Sequence, residues 1–212
     1  MKNETTKQRI LTEGVKLFSK EGYEAVSVDQ IAKAVGIKAP SLYKHYKNKR
    51  DIFDSIVARM FQVDAERSRQ YDVPEEQFDQ SPAAYEDVSL ENIRRFTLAQ
   101  FAFWTEDEFA SNFRRMLTLE QYRSAEMAEL YSSCLVAGPV AYMEDIFREM
   151  ISSGILNDAD PKQLALAFYA PLFLLINMWD QAGDRAALAA MLDDHIARFL
   201  QLNAAKDRKE KP

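Results

Sequence analysis

The stretch that decides the fold of this chain is SVDQIAKAVGIKAPSLYKHY, residues 27–46. It opens with a capping box, in which the Ser27 hydroxyl accepts from the third helical amide and Gln30 reaches back to the start of the helix. Gly36 is the residue type that ends helices in the left-handed conformation, and Pro40 suits the first turn of another helix. The stretch therefore predicts two short helices joined by a tight turn. The apolar stripe of the first helix consists of Ile31, Ala32 and Val35.

The second of these helices has two different faces when its residues are placed at 100° per residue. Its apolar arc contains Ala39, Leu42 and Tyr46. A helix docked by this arc presents its other side to solvent, as a reader of the DNA major groove must do. On this pattern alone, a basic solvated helix is the alternative. The outward arc is rich in hydrogen-bond donors and contains Lys38, Ser41, Lys44 and His45, with Tyr43 at its flank.

The charge of the chain is distributed unevenly. The net charge is −6, yet residues 1–50 contain eleven Lys and Arg against five Asp and Glu. This segment therefore carries +6 and the remainder carries −12. A basic head on an acidic body is expected where one end of a protein meets phosphates. The acidic remainder argues against a protein that compacts DNA without sequence preference.

The rest of the chain reads as helix, and no alternating strand pattern persists in it. A first helix is predicted from Thr5 or Thr6 to a stop at Gly22, and a fourth begins after Asn48. Residues 74–89 are polar and irregular, which indicates a loop or a weak helix. Further helices are predicted over 90–104, over 106–122, over 125–153 with a kink at Gly138–Pro139, and over two final segments within about 161–203.

Parts of this sequence resemble a known protein family. Three segments closely resemble the DNA-binding head of the TetR family of bacterial repressors, namely 10–23, 27–37 and 41–49. The resemblance covers about residues 5–60. It implies an all-α fold, in which an N-terminal three-helix helix-turn-helix head is joined by helix four to a helical ligand-binding and dimerisation body. The divisions expected are the head at 4–64, with its motif at about 27–46, the body at 65–204 and a charged tail at 205–212.

The resemblance also implies DNA-binding roles for individual residues. Ser27 and the amides at the start of its helix would hold a phosphate, and Lys49 matches a lysine that contacts phosphate at the start of helix four. Lys44 departs from the family, where an aromatic residue is common, so the resemblance does not fix the operator sequence. The residues expected to face the bases are Lys38, Ala39, Ser41 and Lys44, while Tyr43 and His45 match positions that touch backbone or base.

The last two helices, at about 161–203, are expected to form a dimer interface. Residues 164–179 are apolar nearly all round, which requires burial on most sides. The resemblance implies that these helices pair with their twofold mates in a four-helix bundle, and burial wholly within one monomer is the alternative. Two heads related by a twofold axis read a palindrome with half-sites about 34–36 Å apart. The small residues Ala186, Ala187, Ala189 and Ala190 would permit close packing beside a stripe of Leu188, Leu192 and Ile196.

The middle of the chain is rich in aromatic residues and methionine. Most such residues are core in any helical protein, yet an apolar cavity with a few polar groups is the usual form of a ligand site. A small-molecule effector of unidentified class is expected there, its polar end oriented by Gln121 or by the nearby Arg114, Arg115 and Arg123. The residues predicted to bind it are Phe101, Trp104, Met116, Gln121, Tyr122 and Tyr142.

The sequence thus predicts a cytoplasmic transcriptional regulator, a repressor released from a palindromic double-stranded DNA operator by a small molecule. A constitutive repressor without ligand is the alternative. A helical enzyme is disfavoured because the chain has two histidines, one cysteine without a neighbouring base, and no zincin pair, phosphate-binding glycine loop or nucleophile elbow. No cofactor and no metal are expected. No signal peptide is apparent, and the apolar run at 164–179 falls short of the roughly 20 residues that cross a membrane.

Overall fold

The computed structural model describes residues 5–75, 83–86 and 88–205. Within these residues the chain forms eleven α-helices, and its β-structure is one isolated bridge between Leu156 and Ala204. The predicted all-α fold is confirmed. Apart from Ala205, the predicted charged tail lies outside the described residues, as do 76–82 and 87 of the segment predicted to be a loop or a weak helix. The helices are α1 (Thr6–Glu21), α2 (Val28–Val35), α3 (Ala39–Leu42), α4 (Lys49–Gln70), α5 (Ala83–Glu86), α6 (Leu90–Glu106), α7 (Glu108–Glu120), α8 (Ala125–Leu135), α9 (Ala137–Ser152), α10 (Pro161–Trp179) and α11 (Arg185–Asn203).

The helices group into two compact units. The first contains the described residues up to Asp64 together with Glu106–Tyr131, and the second contains Ala65–Thr105 and the described residues from Ser132 onward. One change of unit falls between Asp64 and Ala65. The segment Glu106–Tyr131 differs from the prediction, because it packs with the N-terminal helices instead of with the rest of the expected body.

This difference arises because one face of α7, which carries both polar and apolar side chains, packs against α1. The Ser19 hydroxyl donates to Asn112 Oδ1 at 2.7 Å, and both side chains are buried. Phe113, Met116 and Leu117 of α7 are fully buried as well. A helix with this much of its surface covered is part of the core of the first unit.

The N-terminal helices have the ends that the sequence predicts. Thr5 caps α1 in a capping box with Gln8, and Ser27 caps α2 in a second capping box with Gln30. Gly36 ends α2 at φ 77 and ψ 30, a left-handed conformation that favours glycine, and its N–H donates to the carbonyls of Ala32 and Lys33. These local signals place α3 directly after a tight turn.

α1, α2 and α4 enclose a shared apolar core. Gly14 of α1 lies where a Cβ would be 3.2 Å from Ile52 Cγ2, so the absent side chain lets α4 approach α1 closely. The core residues of these helices include Ile10, Val15, Phe18, Ile31, Ile52 and Ile56, all buried. This core is the platform on which α3 sits.

The predicted long helix over 125–153 is interrupted, as expected, but the break comes at Val136, ahead of the Gly138–Pro139 pair. α8 ends at Leu135, and α9 begins at Ala137. A Cβ at Gly138 would lie 1.9 Å from the Ser133 carbonyl oxygen, so only glycine fits this close approach of two backbones.

The second unit has an aromatic core. Phe147 of α9 lies edge-on to Phe168 of α10 with ring centroids 5.5 Å apart, and Phe199 of α11 packs on both rings at 5.6 and 5.0 Å. Leu188, Leu192 and Ile196 of α11 belong to the same core. Most of the apolar stripe of α11 is therefore covered within its own unit.

α10 is, by length and composition, apolar enough to cross a membrane. The prediction that this segment is too short thus does not hold on length alone, since the helix extends to Pro161 at its N-terminal end. One such helix is weak evidence for a membrane span, because core helices of soluble proteins satisfy the same test.

Candidate nucleic-acid interface

α3 is a short element that is completed by turns. The α-helix proper covers Ala39–Leu42, and the Tyr43, Lys44 and His45 amides then donate to carbonyls three or four residues back at 2.8–3.3 Å. Pro40 occupies the first turn, where its missing N–H leaves no helical acceptor unpaired. The helix is thus shorter than the predicted motif, although the chain keeps turning in the same sense to Tyr46.

The buried side of α3 consists of Leu42 and Tyr46. Leu42 is fully buried, and the buried Tyr46 hydroxyl donates to the Lys7 carbonyl at 3.1 Å. Burial raises the pKa of Tyr46 to about 12, with a smaller contribution from the Asp51 carboxylate. These two side chains fix the orientation of α3 on α1, as the arcs of the sequence predict.

The other side of α3 faces solvent. Lys38, Lys44 and His45 are exposed, and Tyr43 is 54% exposed. Ala39 and Ser41 are half-buried at the edge of this surface. The structure therefore places all six residues predicted for base or backbone contact on or beside one face of the motif, and we call this face the α3 rim.

The lysines of the α3 rim differ from the nearby Arg50 in whether acidic side chains lie beside them. Lys38 and Lys44, with the neighbouring exposed Lys47, form no ion pair with any described residue. By contrast, Arg50 pairs with Asp54 at 2.7 Å and with Glu126, and these hydrogen bonds raise the pKa of Arg50 above its ordinary value. The rim is therefore a cluster of uncompensated positive charges, which a phosphate backbone would neutralise.

Ser27 is exposed at the start of α2, as predicted for a phosphate contact. Its hydroxyl already accepts from the Gln30 amide at 3.2 Å, and its own amide donates to Gln30 Oε1 at 2.7 Å. The capping box therefore occupies the hydroxyl and the amide of Ser27, which are part of the set that the prediction assigned to a phosphate. A phosphate at this point would have to share them.

Lys49 turns back onto its own chain. Its ammonium donates to the carbonyls of Tyr23 at 2.8 Å and Glu24 at 3.2 Å, and it lies 4.3 Å from the centre of the Tyr23 ring. The side chain is 22% exposed. Because an ammonium has three N–H donors, one donor is left for a phosphate. The sequence pattern missed the role that the structure gives Lys49, which is to tie the start of α4 to the turn after α1.

Three of the predicted ligand-binding residues lie in the second unit. Phe101 is buried against Trp179 with ring centroids 5.3 Å apart, and Trp104 is half-buried. The Tyr142 hydroxyl donates to the Pro74 carbonyl at 2.9 Å, and its ring lies 6.4 Å from that of Phe96. These aromatic side chains belong to α6, α9 and α10.

The other three lie in the first unit. Met116 is fully buried, and Gln121 directly follows α7, where its amide donates to the Thr118 carbonyl at 2.9 Å. Tyr122 is 89% exposed, because it stands in the turn between α7 and α8. Its prediction as the wall of an apolar cavity is wrong. Sequence reasoning also missed two of the buried polar residues of α7, Asn112 and Glu120, whose only signal is a polar residue on a mostly apolar helix face.

A short helix held on two others by an apolar side, with unpaired lysines on its outer side, defines the class of helix-turn-helix DNA-binding proteins. Residues 10–56 match the model of the tetR family of bacterial regulatory proteins. The N-terminal head of this chain is therefore similar to that of the tetR family.

Relatives named as transcriptional regulators match a stretch of 55 residues of this chain. The biofilm operon icaADBC HTH-type negative transcriptional regulator IcaR of Staphylococcus epidermidis is 42% identical over 55 residues, which are 26% of this chain and 30% of IcaR. IcaR of Staphylococcus aureus strain Newman is 40% identical over 55 residues, with the same coverage. The match thus spans 30% of the length of these curated relatives and includes none of their remaining parts.

Solved structures extend the similarity to the whole chain. SmeT, the repressor of the Stenotrophomonas maltophilia multidrug efflux pump SmeDEF, aligns over 99% of this chain and 95% of its own with a TM-score of 0.65 and 19% identity. The fatty acid degradation regulator FadR of Bacillus halodurans aligns over 94% and 97% with a TM-score of 0.60 and 16% identity. At these identities the likeness establishes a shared fold, namely a helix-turn-helix head followed by a helical body.

Proposed function

We propose that this protein is a sequence-specific DNA-binding transcriptional regulator that acts as a repressor in the cytoplasm. The observation that carries the proposal is the two-sided burial of α3, with Leu42 and Tyr46 buried and Lys38 and Lys44 exposed and unpaired. The similarity to IcaR, a negative transcriptional regulator, and to SmeT, a repressor, supports the same role.

In this proposal the α3 rim enters the major groove. Lys38, Ser41 and Lys44 donate to base edges, with Ala39 in apolar contact, because guanine and adenine present acceptors there. Tyr43 and His45 contact the backbone or a base. Phosphates are held by Ser27 with the first amides of α2, and by the remaining donor of Lys49.

We further propose a homodimer formed through α10 and α11, but by a different face from the one that the sequence suggested. Leu188, Leu192 and Ile196 are covered inside their own unit and are not available to a partner. α10 instead exposes Leu166, Leu174 and Met178, which recur along one side of the helix. Apolar residues in such a row on a surface helix are typical of a subunit interface.

The proposed effector is a small molecule bound within the second unit, beside Phe101, Trp104 and Tyr142. Support comes from a complex of SmeT with triclosan, a structure that aligns with 98% of this chain and 95% of its own at a TM-score of 0.65 and 20% identity. Such a ligand releases the operator only to the extent that it binds the released conformation more tightly. A repressor without an effector is the second candidate, and indifference of operator affinity to every ligand tested would favour it.

Selection of bound sequences from a random pool of duplex DNA tests the central proposal. The expected result is a palindrome with two half-sites about 34–36 Å apart, since a twofold dimer presents two copies of α3. The double variant Lys38→Ala, Lys44→Ala is the control and should enrich no palindrome. Failure of the unaltered protein to enrich any sequence, at a salt concentration where it is folded, contradicts the proposal.

A further inference from the structure

The turn between α1 and α2 is held from two sides at a single residue. The backbone N–H of Tyr23 donates to Glu120 Oε1 at 2.9 Å, and the Tyr23 carbonyl accepts from Lys49 Nζ at 2.8 Å. Glu120 belongs to α7 and Lys49 to α4. The backbone N–H and carbonyl of Tyr23 thus link the turn that follows α1 to both α7 and α4.

Glu120 is buried at this junction. Its side chain is 3% exposed, and a Cβ at Gly22 would lie 3.1 Å from Oε1, so the carboxylate fills the space that glycine leaves. Gly22 has a φ of 81, a conformation that favours glycine. Burial of a carboxylate is costly unless hydrogen bonds compensate it, and a negative charge at a helix C-terminus gains nothing from the helix dipole. The stability of α7 itself therefore does not account for an acidic residue here.

The Tyr23 ring packs against the core of the head, so the residue that Glu120 holds by its backbone also contacts that core. It lies 5.2 Å from the Phe18 ring of α1 and 5.3 Å from the Phe53 ring of α4, edge-on to the latter. The Lys49 ammonium covers the same ring at 4.3 Å. Lys49 is the first residue of α4 and follows Tyr46, the anchor of α3, by three positions. The turn is therefore in direct contact with the start of α4, three positions after the anchor of α3.

We propose that Glu120 is a positioning residue for the DNA interface, although it lies outside the family match at residues 10–56. Its carboxylate holds the Tyr23 amide, and Tyr23 with Lys49 sets the placement of α3 relative to α2. α7 is thereby a structural part of the DNA-reading head. This inference rests on the proposed function, because its consequence for operator binding requires an operator.

The test compares Glu120→Ala with a matched control, Asn112→Ala, in the full chain. Asn112 also joins α7 to α1 through a buried hydrogen bond, but its partner Ser19 is not part of the turn. Two quantities are measured: the exchange rate of the Tyr23 amide by NMR, and the Kd for the selected operator, corrected for the folded fraction. Glu120→Ala should expose the Tyr23 amide to exchange and weaken operator binding about tenfold, the loss of one hydrogen bond to a charged group. Asn112→Ala should lower stability while it leaves both quantities within about twofold.

Glu120→Gln sharpens the test and serves if the alanine variant does not fold. A neutral amide oxygen accepts a weaker hydrogen bond than a carboxylate, so its exchange rate and Kd should fall between those of the unaltered protein and of Glu120→Ala. The inference about Glu120 is overturned if the exchange rate of the Tyr23 amide and the Kd are unchanged in both Glu120 variants. It is also overturned if Asn112→Ala loses as much affinity. Neither result affects the proposed function. Absence of any selected operator for the unaltered protein overturns the proposed function, whereas the exchange comparison still decides whether Glu120 holds the turn.

Discussion

The α3 rim and the outer face of α10 are both exposed, but they expose opposite chemistry. The rim presents Lys38 and Lys44, which have no ion-pair partner among the described residues. The outer face of α10 presents Leu166 and Leu174, which are 51% and 58% exposed. Clustered lysines repel one another, and a row of exposed apolar side chains leaves apolar area in water, so each surface is stabilised by a partner of a different kind. Phosphate suits the first, and a second apolar helix face suits the second.

The largest effect is expected from a charge placed on the α10 face. Leu174→Glu should raise the dimer dissociation constant by more than about a hundredfold, because the carboxylate would lose its water in the interface. Sedimentation velocity measures this, and affinity for a palindromic operator should fall with it. Leu119→Glu is the control, since Leu119 is an exposed leucine of α7 in the first unit. A Leu174→Glu protein that still sediments as the unaltered dimer would show that the face is not the interface.

A smaller effect is expected on the rim, and it should depend on the base sequence. Lys44→Ala should cost about 1–3 kcal/mol of operator binding and relax preference at one base pair, because a lysine that donates to a base edge contributes about this much discrimination. Competition with operators altered one base pair at a time measures the preference. The exposed Lys33 of α2 offers a control substitution, Lys33→Ala. If the loss is equally large on random DNA, Lys44 contacts backbone and reads no base.

The buried side of α3 gives a prediction about stability. Tyr46→Phe removes the hydrogen bond to the Lys7 carbonyl and should lower the free energy of unfolding by about 1 kcal/mol near neutral pH. The raised pKa of Tyr46, about 12 against 10.0, means that the folded state keeps the proton longer than the unfolded state. The stability that this raised pKa contributes is therefore fully present below pH 10 and is lost as pH rises towards 12.

Denaturant unfolding from pH 8 to 12 checks this sign. The unaltered protein should lose stability more steeply above pH 10 than Tyr46→Phe does, while Tyr43→Phe, on the exposed side, should follow the unaltered curve. Tyr85, whose pKa burial also raises to about 12, contributes the same trend in every variant and cancels from the comparison. Parallel curves for the unaltered and Tyr46→Phe proteins would contradict the prediction.

Whether a feature depends on neighbouring or on distant residues explains what the sequence could and could not predict. The capping box at Ser27, the turn at Gly36 and the two arcs of α3 depend on neighbours within a few residues, and the structure confirms them. The placement of α7 depends on contacts such as Ser19 with Asn112, 93 positions apart, which no local pattern contains. Lys49 reads as a surface lysine until the carbonyls of Tyr23 and Glu24, about 25 positions away, are placed beside it. The face of α10 left uncovered likewise depends on which side α9 and α11 occupy.

The smallest effect separates two neighbouring lysines. Lys47 is exposed and unpaired, whereas Lys49 donates to two carbonyls and is 22% exposed. Lys47→Ala should weaken binding to all sequences about equally and flatten the slope of log Kd against log salt by about 1, the change expected for one lost phosphate contact. It should leave the free energy of unfolding unchanged.

Lys49→Ala should lower the free energy of unfolding by about 1–2 kcal/mol, because two hydrogen bonds and a cation–π contact are lost. Titrations at several salt concentrations, beside unfolding curves, distinguish the two. Equal stability of both variants would mean that the contacts of Lys49 with the turn are not held in solution, and that its ammonium is as free to meet phosphate as that of Lys47.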